Sequence, residues 1–153
     1  MIYPLFTQGV FFLGDTMQII LLSNKFYKDY ASCKEILKKE NRPYCCLSVY
    51  VDGVQFAIPF RHHITHKHCF KTVGDAGLDF TKAVVVTDEK YVSSRQTDVD
   101  KLEFAIIKKY EVDITSSFML YLSKYKKAKD KKDKQRKKSI VEYSALQYFE
   151  EYL

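Results

Sequence analysis

Tyr44-Cys-Cys-Leu-Ser-Val-Tyr-Val-Asp-Gly-Val-Gln-Phe-Ala-Ile-Pro59 is the stretch that decides the fold class. Two runs rich in β-branched and aromatic residues, Tyr44–Val51 and Val54–Pro59, flank Asp52-Gly53, a dipeptide that tolerates the left-handed backbone of a tight hairpin turn. The pleat then puts Tyr44, Cys46, Ser48 and Tyr50 on one face and Cys45, Leu47, Val49 and Val51 on the other. Upstream, Met17–Leu22 reads as a buried strand, with Met1–Thr16 as an extra strand or arm on the same body. Between this strand and the hairpin, Phe26, Tyr30, Cys33 and Leu37 return at helical spacing. They predict a helix over Lys25–Lys38, capped by Ser23 or Asn24 and broken by Asn41, Arg42 and Pro43.

Downstream of Pro59 the segment Phe60–Phe80 has no clear period, and Gly74 and Gly77 make its second half turn-rich. Ala83–Val86 predicts a buried strand, and Lys90–Ser93 a further one paired to it through Thr87–Glu89. The period then changes to helical. Val99, Leu102, Ile106 and Tyr110 stripe one helix, capped by Thr97 or Asp98, and Phe118, Tyr121, Leu122 and Tyr125 stripe the next. A last helix is predicted over Ser139–Leu153, where Ser139 and Glu142 form a capping box and Ile140, Tyr143, Leu146 and Phe149 the apolar stripe. Strands early and helices late predict one α+β domain over residues 1–153, built on a twisted antiparallel sheet.

With 153 residues, 46% of them hydrophobic, and only 5 Gly and 3 Pro, the chain has the composition of a folded domain and not of a disordered or collagen-like one. Apolar runs such as Val10–Leu13 and Ile19–Leu22 fall far short of the ~18 residues a membrane span needs. Met1–Asp15 carries no Lys or Arg ahead of an apolar stretch, so a cytoplasmic protein is expected. Cys33, Cys45, Cys46 and Cys69 follow no disulfide-module spacing and are expected as free thiols. Gly74-Asp-Ala-Gly77 lacks the glycine and lysine pattern of a phosphate-binding loop, so neither ATP nor NAD is an expected cofactor.

The net charge of +6 is concentrated in one place. Lys124–Lys138 holds nine lysines and Arg136 against Asp130 and Asp133, a local +8, which leaves the remainder of the chain at about −2. Such a segment attracts a polyanion, with RNA, DNA or an acidic membrane surface as the candidates and a solvated lysine-rich loop as the competing reading. If the partner is RNA, Lys126, Lys127, Lys131, Lys132, Lys134 and Arg136 are the residues expected to follow its backbone. Tyr27, Tyr44 and Tyr110 are candidate stacking residues, against a plain packing role.

All four histidines lie in Arg61-His62-His63-Ile64-Thr65-His66-Lys67-His68, directly after a strand. Imidazole exchanges protons near neutral pH, so one copy can take a proton and another give one. With Arg61 and Lys67 to meet phosphate charge, the loop has what metal-free RNA cleavage needs: a base for the 2′-hydroxyl, cationic donors for the non-bridging oxygens and an acid for the leaving 5′-oxygen. His62 is the candidate base and His63 the candidate acid, with the two roles open to exchange; Lys67 and His66 are candidate RNA contacts. Against a metal, His62, His66, His68 and Cys69 supply ligand types that zinc accepts but match no standard zinc spacing.

Ser23-Asn-Lys-Phe-Tyr-Lys-Asp-Tyr30, Arg42-Pro-Tyr44, Asp52-Gly53, Phe56-Ala-Ile-Pro-Phe-Arg-His-His-Ile64 and Gly77-Leu-Asp-Phe-Thr-Lys-Ala-Val-Val-Val86 together resemble the endoribonuclease toxins of type III toxin–antitoxin systems, the ToxN/AbiQ superfamily, and most of all its CptN branch. The resemblance runs from about Met17 to Leu153. It implies a strongly twisted antiparallel sheet flanked by helices, a Kid/MazF-like core, and a metal-independent phage-defence toxin that cleaves single-stranded RNA. It also implies an inhibitory pseudoknotted RNA antitoxin, bound in a closed protein–RNA hetero-oligomer. Where the better-known branch carries Thr-Ser-Pro-Lys, this chain has Arg61-His62-His63-Ile64. The family's active-site serine therefore falls on His62, and its lysine on Ile64 or, with a small loop shift, on Lys67. A basic residue ahead of the family's first hairpin strand falls on Arg42, which the resemblance makes an RNA and active-site contact beside Arg61. The leading alternative is a non-catalytic RNA-binding regulator that keeps the lysine segment and uses the histidines only to recognise phosphate.

Overall fold

The computed structural model describes residues 17–38, 44–95, 97, 99–130 and 140–153, and the backbone of 6–7 and 10–12. Eight antiparallel strands form the sheet: β1 (Phe6–Thr7), β2 (Val10–Phe12), β3 (Met17–Leu21), β4 (Cys45–Val51), β5 (Val54–Arg61), β6 (Cys69–Lys71), β7 (Gly77–Asp79) and β8 (Val84–Val85). Their order is β1-β2-β3-β4-β5-β7-β6, with β8 also on β5. The hairpin at its centre forms as expected. Asp52 and Gly53 both take positive φ, 51° and 79°, and Val51 pairs with Val54 across them. The described part of the first 16 residues is a strand pair, β1 and β2, that extends the sheet from β3.

The helices are α1 (Asn24–Asp29), α2 (Lys101–Lys109) and α3 (Glu111–Asp130). Together with the sheet they make an α+β fold, and both faces of the two central strands are covered. Leu47, Val49, Phe56 and Ile58 lie on one face, where Phe56 meets Phe118 of α3 with ring centroids 5.1 Å apart. On the other face, Cys46 and Ala57 line a small cavity with Tyr27 and Ile36 from the α1 region. Ser48, fully buried, satisfies its hydroxyl by accepting from Gln55 Nε2 at 2.9 Å. Among the described residues no helix is long and apolar enough to cross a membrane.

Several elements differ from the sequence reading. The helix predicted over Lys25–Lys38 is real at its start, where Ser23 Oγ accepts from Phe26 N, but stops at Asp29. Tyr30 is drawn into an aromatic cluster with Phe26, Tyr91 and Phe149, and Lys38 Nζ donates to the carbonyls of Tyr30 and Cys33, holding the chain in turns. Lys90–Ser93 is not a strand. Asp88 caps a 3-10 turn over Glu89–Tyr91, and the one ladder contact is the bridge between Leu22 and Val92. α2 is capped by Asp100, and its buried residue is Ile107, whereas Leu102 is 59% exposed.

The last predicted helix is also replaced. Ser144 caps a 3-10 turn over Ala145–Tyr148, burying Ala145, Leu146 and Phe149 and leaving Tyr143 exposed. The stripe Phe118, Tyr121, Leu122 and Tyr125 is buried as predicted, within a helix that runs on through Lys124–Asp130. Asn41, Arg42, Pro43, Asp98 and Ser139 lie outside the described residues.

Candidate active site

β5 carries the site. Pairing of Phe60 with Leu78 and Arg61 with Gly77 puts Arg61 on the same face as Asp79, two residues along the neighbouring strand and within diagonal reach. Gly77 is obligatory there: a Cβ would overlap the Phe70 carbonyl oxygen and sit 2.9 Å from Lys71 Cα on the β6 side. Beyond Arg61 the chain leaves the sheet, loops through the histidines and returns as β6 at Cys69. Three contacts brace this loop: Ile64 N donates to Asp75 O, Lys71 Nζ to Ile64 O, and Phe80 N to His68 O.

The loop separates its histidines into two pairs. His62 and His63 project at the tip, both exposed, with ring centroids 6.4 Å apart. His63 takes a left-handed backbone, φ 58°, and its Nδ1 is 2.8 Å from Asp75 Oδ2. The Asp75 carboxyl is held below its ordinary range by that hydrogen bond. His66 and His68 sit at the other end of β7, against Asp79. Asp75 lies in the turn before β7 and Asp79 is the last residue of β7, so the two histidine pairs are held by different carboxylates.

Asp79 is the buried centre of the second pair, with no exposed side-chain surface. Its Oδ2 accepts from Arg61 Nη1 at 2.7 Å, and its Oδ1 from Thr81 N and Thr81 Oγ1. Burial works against its charge, but the bonds from Thr81 and Arg61 and the nearby cations outweigh it and hold the carboxyl below the usual range. His66 Nδ1 accepts from the His68 backbone N–H at 3.1 Å, which assigns the ring proton to Nε2. That buried Nε2 lies 3.1 Å from Asp79 Oδ1, close enough for charge attraction but not aligned for a hydrogen bond. Both ring nitrogens of His66 thus face protein, and His66 is a brace more than a free contact. The His68 ring lies 5.6 Å from Tyr121 of α3 and 6.2 Å from His66. Burial first, then the charges of His66, Lys67 and Lys124, lower its pKa.

The other predicted site residues are spread more widely. Lys67 is exposed beside His68, and Lys126 and Lys127 are exposed on the last turns of α3. Arg42, Lys131, Lys132, Lys134 and Arg136 lie outside the described residues. Of the candidate stacking residues, Tyr27 is packed edge-on to Phe26 and its hydroxyl pKa is raised by burial, while Tyr110 is partly exposed under Lys109. All four cysteines are free. No three His, Cys, Asp or Glu side chains among the described residues converge as a metal site.

Sequence reading did not single out Asp75 or Asp79, and it weighed His68 only as a zinc ligand, Lys124 only within the basic segment and Tyr121 only as core. For Asp79 a signal exists, an acid between Leu78 and Phe80 in an otherwise apolar stretch, which demands a buried partner. Compared with protein-family models, curated proteins and solved structures, the chain matches none.

Proposed function

We propose that the chain is a metal-independent endoribonuclease with a Kid/MazF-like core, a toxin of the ToxN/AbiQ kind. The observation that carries this reading is the His62–His63 pair: two adjacent imidazoles, exposed at the tip of a braced loop, one of them oriented by a carboxylate. With His63 Nδ1 directed at Asp75, its Nε2 is left to exchange a proton with substrate. In the reaction His62 takes the proton of a 2′-hydroxyl, the 2′-oxygen attacks phosphorus, the bond to the 5′-oxygen breaks, and His63 supplies that oxygen with its proton. The products are a 2′,3′-cyclic phosphate and a 5′-hydroxyl. Arg61, its Nη1 committed to Asp79, meets phosphate through its remaining nitrogens, and Arg42 adds a second cation. The exposed lysines of α3 follow the RNA backbone outside the centre. An inhibitory pseudoknotted RNA, in a closed protein–RNA hetero-oligomer, keeps the centre covered by laying its backbone along those lysines.

Separate replacement of His62 and His63 by Ala tests the roles. Each variant should lower the cleavage rate by at least about tenfold, acid–base groups contributing roughly 10²- to 10⁴-fold. Near-normal rates in both folded variants would take the pair out of the chemistry, and RNA bound by wild type but never cut would leave a binding protein in its place.

A further inference from the structure

Around His68 the cations outnumber the charge that balances them. Lys67 precedes it on the loop, and the His68 ring meets that of Tyr121 with centroids 5.6 Å apart, one turn of α3 before Lys124, whose charge His68 feels. Neither lysine makes an ion pair among the described residues. The carboxylate that His68 does feel, Asp79, is already taken up by Arg61, by Thr81 twice and by contact with His66. The half-buried imidazole therefore feels the charge of both lysines, while the one carboxylate that acts on it among the described residues is already engaged. Such a position is unfavourable for a bare protein and well matched to an oxyanion.

We infer that Lys67, His68 and Lys124 form a second oxyanion site that holds another phosphodiester of the RNA strand whose scissile phosphate lies at His62 and His63. The inference rests on the RNA-cleaving reading and adds a subsite to it. This subsite is held by Asp79 at the end of β7 and the first pair by Asp75 in the turn before β7, which suits a phosphate elsewhere on the strand and not the scissile one. His66 and Arg61 act here as positioning residues. His66 fixes the His68 backbone through its Nδ1, and Arg61 neutralises Asp79 so that the carboxylate does not repel the ligand. The charged and titratable groups facing His68 are His66 and Lys67 on the loop, Asp79 on β7, and Lys124 with Tyr121 on α3. A bound phosphodiester favours protonated His68, so the strand binds more tightly as the pH falls through the His68 midpoint.

The test follows the Cε1–H resonances of the four histidines through a pH titration of the full chain. It is run free and then saturated with a short all-deoxy oligothymidylate, which has no 2′-hydroxyl to attack. The oligonucleotide should raise the His68 midpoint by about one pH unit. Lys124→Gln should raise it in the free protein, by removing repulsion, and weaken oligonucleotide affinity about two- to fivefold, the worth of one solvent-screened ion contact. A His68 midpoint unmoved at saturation would overturn the inference. So would a midpoint moved by inorganic phosphate and not by the oligonucleotide. An unmoved His68 in a protein that cleaves RNA removes this subsite alone, and a shifted His68 in a protein that cuts no RNA removes the nuclease reading and keeps the subsite.

Discussion

Asp79 shows how one side chain ties stability to the site. Its carboxylate is buried, and three donors from Arg61 and Thr81 depend on it, so Asp79→Ala strands a half-buried guanidinium and leaves Thr81 N unpaired. Breaking a buried pair typically costs ~3–5 kcal/mol; with Arg61 about one-third exposed we expect about 2–3 kcal/mol, read from the urea midpoint. The sign of its pH dependence is fixed by the lowered pKa. The stabilisation is complete above the unfolded value of ~4 and is lost as the pH falls through the lower folded value, so acid unfolding of Asp79→Asn should show a shallower slope below pH ~4 than wild type. A slope identical to wild type would mean that folding does not lower the Asp79 pKa. From sequence, the histidines and Arg61 were legible because their chemistry is visible in the residue names. Their carboxylate partners were not, because Asp75 and Asp79 reach them through a pairing of β5, β6 and β7 that no local period announces.

At the level of elements, the hairpin was legible because it is local: Asp52-Gly53 and the flanking β-formers determine it without help. The helix after Ser23 was overcalled because the apolar spacing at Tyr30, Cys33 and Leu37 also serves turns, once Lys38 claims the carbonyls that a helix would use. β6 and β7 were missed because three-residue strands are too short to show alternation. Their pairing hinges on Gly77, where backbone from β6 occupies the place of a Cβ. Gly77→Ala should therefore cost more than the ~1 kcal/mol of an ordinary glycine substitution in a strand, about 2 kcal/mol or above, and loosen the histidine loop. Hydrogen exchange checks this. Phe80 N, bonded to His68 O, should lose protection ahead of the β4–β5 hairpin amides, and equal loss in both would place the damage in the whole sheet.

Across the whole molecule, the histidine loop meets α3 at His68 and Tyr121, and Lys124, one turn on, begins the basic run that continues through Lys126 and Lys127. The fold class was legible from the division into early strands and late helices, whereas the meeting of loop and helix depends on how α3 packs on Phe56 and Phe80, a long-range contact. Replacing four of Lys126, Lys127, Lys131, Lys132 and Lys134 by Gln should weaken RNA binding and flatten its salt dependence, by about 0.7–0.9 in slope for each phosphate contact removed. An unchanged slope would return the segment to a solvated role. Whether the histidine loop cuts RNA without a metal is read from the ends of the products. Purified protein is incubated with labelled RNA in EDTA and the fragments are resolved by their termini. Discrete cuts ending in a 2′,3′-cyclic phosphate and a 5′-hydroxyl are expected; uncut RNA, or cleavage that returns only with added metal, would overturn the proposed mechanism.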